Sequence, residues 1–362
     1  MNYYALLVAL VLVTALLLHG TEEKSKKYVI VACALLFAVL GLRDAFSVGN
    51  DTTTSYLGNF WRLQNMSWSQ TIARANGTNY LFFIMTWAFN RYLSTDYQLY
   101  IALISLFVIF CFGHFVYRYS PSPLQSILYF FGLLLFSFHF SALKQSIAMS
   151  ILLLAFDAII DRKPVKFVLL VLLAGQFHFP AIVFLPAYWL AKLHIGKTYL
   201  IVLSLILVIT YVFRVQILNF MIQLYRDEDV SVDLAGVRFL RTKALIMVVI
   251  VAAAIVFRIP TKDDRIYEIL LGFMGMAIVF QTFCGYNNTF ERLADYYFQF
   301  SVVFIPMVFD KRAERESLLD WRLLETVDTL APYLFCGFGI YRFLTTISND
   351  PSLASYQFFF QH

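Results

Sequence analysis

Charge is what this chain has least of. Only 14% of its 362 residues are Asp, Glu, Lys or Arg, against 60% hydrophobic and 18% aromatic. That balance leaves no room for a sizeable water-soluble domain. With a mean hydropathy of +0.71 it defines a polytopic membrane protein, expected to be all-α and a single transmembrane domain over 1–362. Cysteine is sparse as well: Cys33, Cys111, Cys284 and Cys336 stand singly in apolar stretches, so no disulfide and no structural metal is expected. No basic residue precedes the apolar run from Met1 to His19 and no small-residue cleavage site closes it, so a retained first helix is expected there and not a signal peptide. The net charge of +5 is accounted for by basic cytoplasmic loops and points to no particular partner.

What is abundant is apolar sequence of spanning length. Crossing about 30 Å of hydrocarbon takes roughly 20 helical residues. Segments 2–19, 28–46, 98–117, 123–140, 142–160, 198–220, 241–258, 266–285, 292–309 and 329–346 come close to that. Residues 78–92 and the pair 164–178 and 180–193 are shorter. Positive charge arbitrates. The loops Lys24 to Lys27, after Arg118, Arg162 to Lys166, Lys192 to Lys197, Arg258 to Arg265 and Lys311 to Arg315 are all cytoplasmic only if 78–92 does not cross. That segment is therefore expected to be a re-entrant or half-length helix entered from outside. The stretch 165–193 must leave the cytoplasm and return, either as two short spans or as one hairpin interrupted near His178-Phe179-Pro180, where proline breaks the helix. The outcome is about twelve transmembrane helices with both termini outside.

Outer loop 47–77 spaces Trp61, Met66 and Trp68 among polar residues, as either an amphipathic helix at the headgroups or an ordinary ordered loop would. Outer loop 221–240 carries Arg226, Asp227, Glu228, Asp229, Asp233 and Arg238 and reads as a solvated loop, with a lid or acceptor-binding role as the alternative. The cytoplasmic segment 310–328 sets Leu318, Leu319, Trp321, Leu323 and Leu324 among charges and reads as a surface helix.

This topology collects Arg43, Asp44, Asp51, Lys144, His178 and Arg292 on the non-cytoplasmic side. Ionisable groups at membrane depth cost roughly 2.5 to 3.5 kcal/mol each, which makes such a cluster a candidate functional site. Each has a duller reading. Arg43 can pair with Asp44 or snorkel to headgroups, Lys144 can mark a helix mouth, His178 and His139 can be hydrogen-bonded core, and Arg292 is flanked by Glu291 and Asp295.

Gly41-Leu42-Arg43-Asp44 at a helix end, followed by Val48-Gly49-Asn50-Asp51-Thr52 and Tyr56, resembles the opening signature of the EpsG-like branch of the Wzy polysaccharide polymerases. The likeness continues, in the family's order, at Lys144-Gln145-Ser146-Ile147-Ala148, at Phe177-His178-Phe179-Pro180-Ala181, and at Arg292 with Tyr296 and Tyr297. Two positions depart from the pattern: Lys144 stands where the family usually has arginine, and Pro180 where a small polar residue is commoner.

The resemblance implies a bacterial membrane glycosyltransferase of the cytoplasmic membrane, multi-pass, with its active site facing outside. It would join undecaprenyl-diphosphate-linked repeat units, without metal or cofactor. Its partners would be those lipid-linked glycans, the bilayer, and the flippase and chain-length regulator of the same pathway, with no nucleic acid. Transfer from a sugar diphosphate develops negative charge that fixed cations must meet, a role for Arg43, Lys144 and Arg292. The acceptor hydroxyl needs a base, for which His178 and Asp51 are the catalytic candidates. Asp44, Gln145, Tyr296 and Tyr297 are the sugar-binding candidates, alongside Trp61, Trp68 and Trp87. A glycan ligase to another acceptor would share this cationic cavity. A lipid-linked oligosaccharide flippase would ask for two alternating halves, of which the sequence shows no repeat.

Overall fold

A computed structural model of the chain describes residues 2–18, 22–75, 78–225, 242–258, 264–282, 292–310 and 321–361. Among these the regular structure is helical throughout, apart from one isolated bridge between Arg43 and Phe358. In lipid a helix satisfies every backbone N–H and C=O within its own segment, so an apolar chain of this kind has few other options. The protein is an α-helical membrane protein.

By length and composition alone, Tyr97–Tyr119, Leu143–Ile160 and Glu325–Asn349 are long and apolar enough to cross. Tyr3–Leu17, Pro164–Phe177 and Thr242–Phe257 are apolar but shorter. The described helices therefore do not yield the expected twelve by length, and the reason is local. The 123–140 segment stops at Gly132, turns through Leu134 at φ 63°, and resumes at Leu135–Phe138. Residues 198–220 split at Phe213 into Lys197–Val212 and Arg214–Tyr225. The 292–309 stretch is a 3-10 turn and two short helices, the second containing Pro306.

The short segments behave as their lengths suggest. Residues 78–92 form Tyr80–Ala88 running into the wider turn Phe89–Leu93, a half-length helix. The stretch 165–193 is interrupted: Pro164–Phe177 ends, His178 intervenes, and a 3-10 segment Phe179–Phe184 precedes Ala187–Leu190. Of the two readings of 47–77, helix prevails, as Leu57–Gln64 and Trp68–Arg74. Ser67 caps the second, and Gln70 returns a bond to the Ser67 N–H at 2.8 Å. Trp61 lies exposed on the first helix and Trp68 on the second, while Met66 packs beside Leu63, Ala75 and Phe83. The helix Trp321–Asn349 runs straight through residues expected in a separate surface segment, whose part 311–320 lies outside the described residues, as does 226–240 of the second outer loop.

The chain packs as two compact units, Met1–Ala155 with Leu169–Phe179 and Leu330–His362, and Phe156–Val168 with Pro180–Thr329. In the first, glycines let helices touch. A Cβ on Gly132 would lie 2.6 Å from the Gly339 Cα, and one on Gly113 2.6 Å from the Cys33 sulfur. Close approach of this kind supplies dispersion contacts where lipid offers no hydrophobic push. In the second, Phe184, Phe273 and Phe300 form an aromatic core with centroids 5.1–5.5 Å apart. One end of that unit is braced by Glu268, which accepts from the Ile195 N–H at 2.7 Å and Arg265 at 2.9 Å.

Candidate functional site

The first unit carries most of the predicted residues, in two distinct settings. Arg43 sits at the end of the helix Glu22–Gly41 and is completely buried. Its guanidinium donates to three backbone oxygens: Leu40, Phe140 at 3.2 Å and Val48 at 3.4 Å, and it lies over the Phe140 ring. The Phe140 oxygen also accepts from the Thr52 hydroxyl, so both of its lone pairs are engaged. Gly49 makes this possible: its φ is +100° and an added Cβ would run into the same oxygen. Asp44 is buried in the same knot, its side chain accepting from the Phe46 N–H at 3.1 Å.

The chain terminus completes the knot. The Asp44 N–H donates to Gln357 at 2.8 Å, the Phe359 N–H to Leu42 at 3.1 Å, and the Tyr356 hydroxyl to Val39 at 2.9 Å. Tyr3 and Tyr4 of the first helix pack on Tyr356. None of this is signalled locally, because the partners lie more than 300 residues apart.

Lys144 is held otherwise. It is half-buried in the first turn of Leu143–Ile160, its ammonium 4.8 Å from the Phe83 ring centre and 5.4 Å from that of Phe82. Its N–H donates to the Tyr56 hydroxyl at 3.5 Å, and Tyr56 packs edge-on against Phe82. Phe82 and Phe83 belong to the first turn of the half-length helix, and that same turn reaches His178. Asn79, immediately before it at φ 56°, accepts the Phe179 N–H with its side-chain oxygen at 2.9 Å. His178 is half-buried, its N–H closing the preceding helix on Ala174 at 2.9 Å. The start of the half-length helix is thus where the Lys144 turn, Tyr56 and the interruption at His178 meet. Asp51 stands half-buried just before the wide turn Thr52–Tyr56, with no side-chain bond to that turn.

Asn79 is the residue that sequence reasoning missed here, and the available signal was an Asn, a residue that tolerates the left-handed conformation, directly before an apolar run. Gln145 is buried. His139 is buried too, with Nδ1 2.8 Å from the Ser146 hydroxyl, which places it in the core.

In the second unit Arg292 is exposed on a 3-10 turn. Asp295, buried, forms an ion pair with Lys243. Lys243, at the start of Thr242–Phe257, was not anticipated. Tyr296 and Tyr297 are fully buried. The Tyr297 hydroxyl donates to Val183 at 2.9 Å and its ring is walled by Phe184, Phe273 and Phe280, so it presents no open face for a sugar. Among the described residues no group of three or more His, Cys, Asp or Glu side chains comes together.

The fold and these polar turns define a multi-helix membrane protein with ionisable groups set into helix ends and breaks. The EpsG family model matches residues 26–358, nearly the whole chain, and the protein belongs to the EpsG family. No match was found among curated proteins or among solved structures.

Proposed function

We propose that this protein is a bacterial polysaccharide polymerase, a membrane glycosyltransferase that joins undecaprenyl-diphosphate-linked repeat units on the outer face of the cytoplasmic membrane. Family membership supports polysaccharide polymerisation. The observation that carries the mechanism is the meeting of the Lys144 turn, Tyr56 and the His178 interruption at one end of a half-length helix. A helix that stops part-way leaves irregular backbone where it lines a cavity, as membrane-depth sites require.

In this reading Lys144 meets the charge that develops on the departing diphosphate. The family motif offers Arg292 as a further cation. His178 or Asp51 takes the acceptor proton. Arg43 is a positioning residue: its guanidinium is committed to carbonyls, and it holds the loop that carries Asp51. Asp44 and Gln145 support sugar contacts from the same elements. The sidedness is that of about twelve crossings with both termini outside, which the loop charges support.

The test is to supply a purified lipid-linked repeat unit to the reconstituted protein. A ladder of glycans with release of lipid diphosphate is expected. Transfer of a single pre-formed chain to another acceptor would make it a ligase, and movement of the unit without new bonds a transporter. Sidedness is checked by thiol labelling in intact cells: Asp51→Cys should label from outside and Lys163→Cys should not.

A further inference from the structure

The first unit contains a cavity of about 540 Å³ that begins one helical turn beyond Lys144. Ile147, Ile151 and Leu154 line it from Leu143–Ile160; they follow Lys144 at i+3, i+7 and i+10, one stripe of the helix, and Leu154 lies about 15 Å along the axis from Lys144. Leu170, Leu173 and Phe177 line it from the helix that ends at His178. Met85 and Phe89 line it from the half-length helix. The three segments that carry the candidate site therefore continue as its walls.

The lining is apolar apart from the Tyr100 hydroxyl, which is already 2.7 Å from Thr86. Water finds no set of polar partners there, and an apolar occupant is favoured instead. Leu103 and Leu173, 42% and 39% exposed, stand at the wall, so the cavity opens sideways from the helices. A dry slot with a cation near one end and a lateral opening suits an amphiphile with an anionic head and a hydrocarbon tail too long to be enclosed.

We propose that this cavity binds the head-proximal part of the polyprenyl tail of the lipid-linked substrate and so sets its diphosphate beside Lys144. The inference rests on the polymerase reading for the identity of the head group. It adds that the enzyme selects its carrier by the tail and not by charge alone.

The experiment uses the full chain in nanodiscs with undecaprenyl phosphate bearing a photoreactive group in its head-proximal tail. Label is expected on 147–154 and 170–177, displaced by excess unlabelled undecaprenyl phosphate and not by excess phosphatidylglycerol. Ile151→Trp, which fills the slot, should cut labelling by about tenfold or more. Displacement by phosphatidylglycerol with equal efficiency would make the slot an ordinary bilayer-lipid site and overturn the proposal. Should Ile151→Trp fail to insert, the wild-type protein decides by tail length. Repeat units on a farnesyl carrier are expected to show a KM about tenfold or more above that of undecaprenyl-linked units, with kcat little changed. Equal KM values would overturn the cavity assignment and leave the polymerase reading standing. Specific labelling of the slot without any glycan ladder would do the reverse.

Discussion

Arg43 and Lys144 occupy the same unit and opposite physical situations. Arg43 is wholly enclosed and spends its guanidinium on the oxygens of Leu40, Val48 and Phe140, with the chain terminus strapped across the same loop. Lys144 is half-buried, and its ammonium lies over the faces of Phe82 and Phe83. A planar fork with five donors suits the first task and a compact point charge the second. The difference is one of setting: a cation at a helix end in a membrane protein can be wholly enclosed among carbonyls or half-buried over aromatic faces, and the proposed polymerase reading assigns chemistry to the second.

The largest effect is expected at the chemical end. Lys144→Gln should lower polymer formed per inserted protein by about 100- to 1,000-fold, the usual cost of losing one donor to developing charge, about 3 to 4 kcal/mol. Thermal stability should change by no more than about 1 kcal/mol, the worth of the ring contacts. Lys144→Arg should keep substantial activity, because the charge persists. An active glutamine variant would dissolve the contrast by making Lys144 architectural too.

Arg43→Ala should fail in the other way. Three buried carbonyls each lose the Arg43 bond, at roughly 1 kcal/mol apiece, so about 3 kcal/mol of stability is expected to go. The purified protein should melt earlier and insert poorly, while polymer per folded molecule falls much less than for Lys144→Gln. An Arg43→Ala protein as stable as wild type yet inactive would move Arg43 to the diphosphate.

Gly49→Ala probes the same knot from the backbone side. Its φ of +100° is strained for any L side chain, and the new methyl would meet the Phe140 oxygen that Arg43 and Thr52 share. A loss of about 2 kcal/mol is expected, read as a lower melting midpoint. A neutral result would show that the loop relaxes and that the knot is looser than its hydrogen bonds imply.

Much of this contrast was legible in the sequence, but not its division of labour. Gly41 to Asp44 and Val48 to Thr52 stand out as motifs because Arg43, Gly49 and Thr52 converge on one carbonyl, and such convergence constrains residue types at short spacing. The short segment 78–92 and the proline after His178 announce a half-length helix and a break through length and a missing N–H. What stayed hidden depends on distant partners. The terminal strap joins residues more than 300 apart, and Lys243 gives no local sign that it will reach Asp295. The break at Leu134 has no sequence signal either, since a leucine with positive φ is imposed by its surroundings.

The smallest effect is expected at Asn79, and it tests whether the chemical region is held as one piece. The Asn79 oxygen accepts the Phe179 N–H, 100 residues away, and so ties the interruption beside His178 to the turn on which Lys144 rests. Asn79→Gly is the informative change, because glycine accepts φ 56° without strain and removes the tether together with only a long bond to the neighbouring Thr78 hydroxyl. About 1 kcal/mol of stability should be lost with one neutral hydrogen bond. Hydrogen exchange at the Phe179 amide should quicken, since opening there no longer breaks that bond. Polymer formation should fall several-fold while Lys144→Gln remains far worse. Asn79→Asp keeps an acceptor oxygen at the same reach and should restore both the slow exchange and the activity. Fast exchange with undiminished activity would mean that His178 works independently of the half-length helix. The two halves of the chemical region would then have to be counted as separate sites.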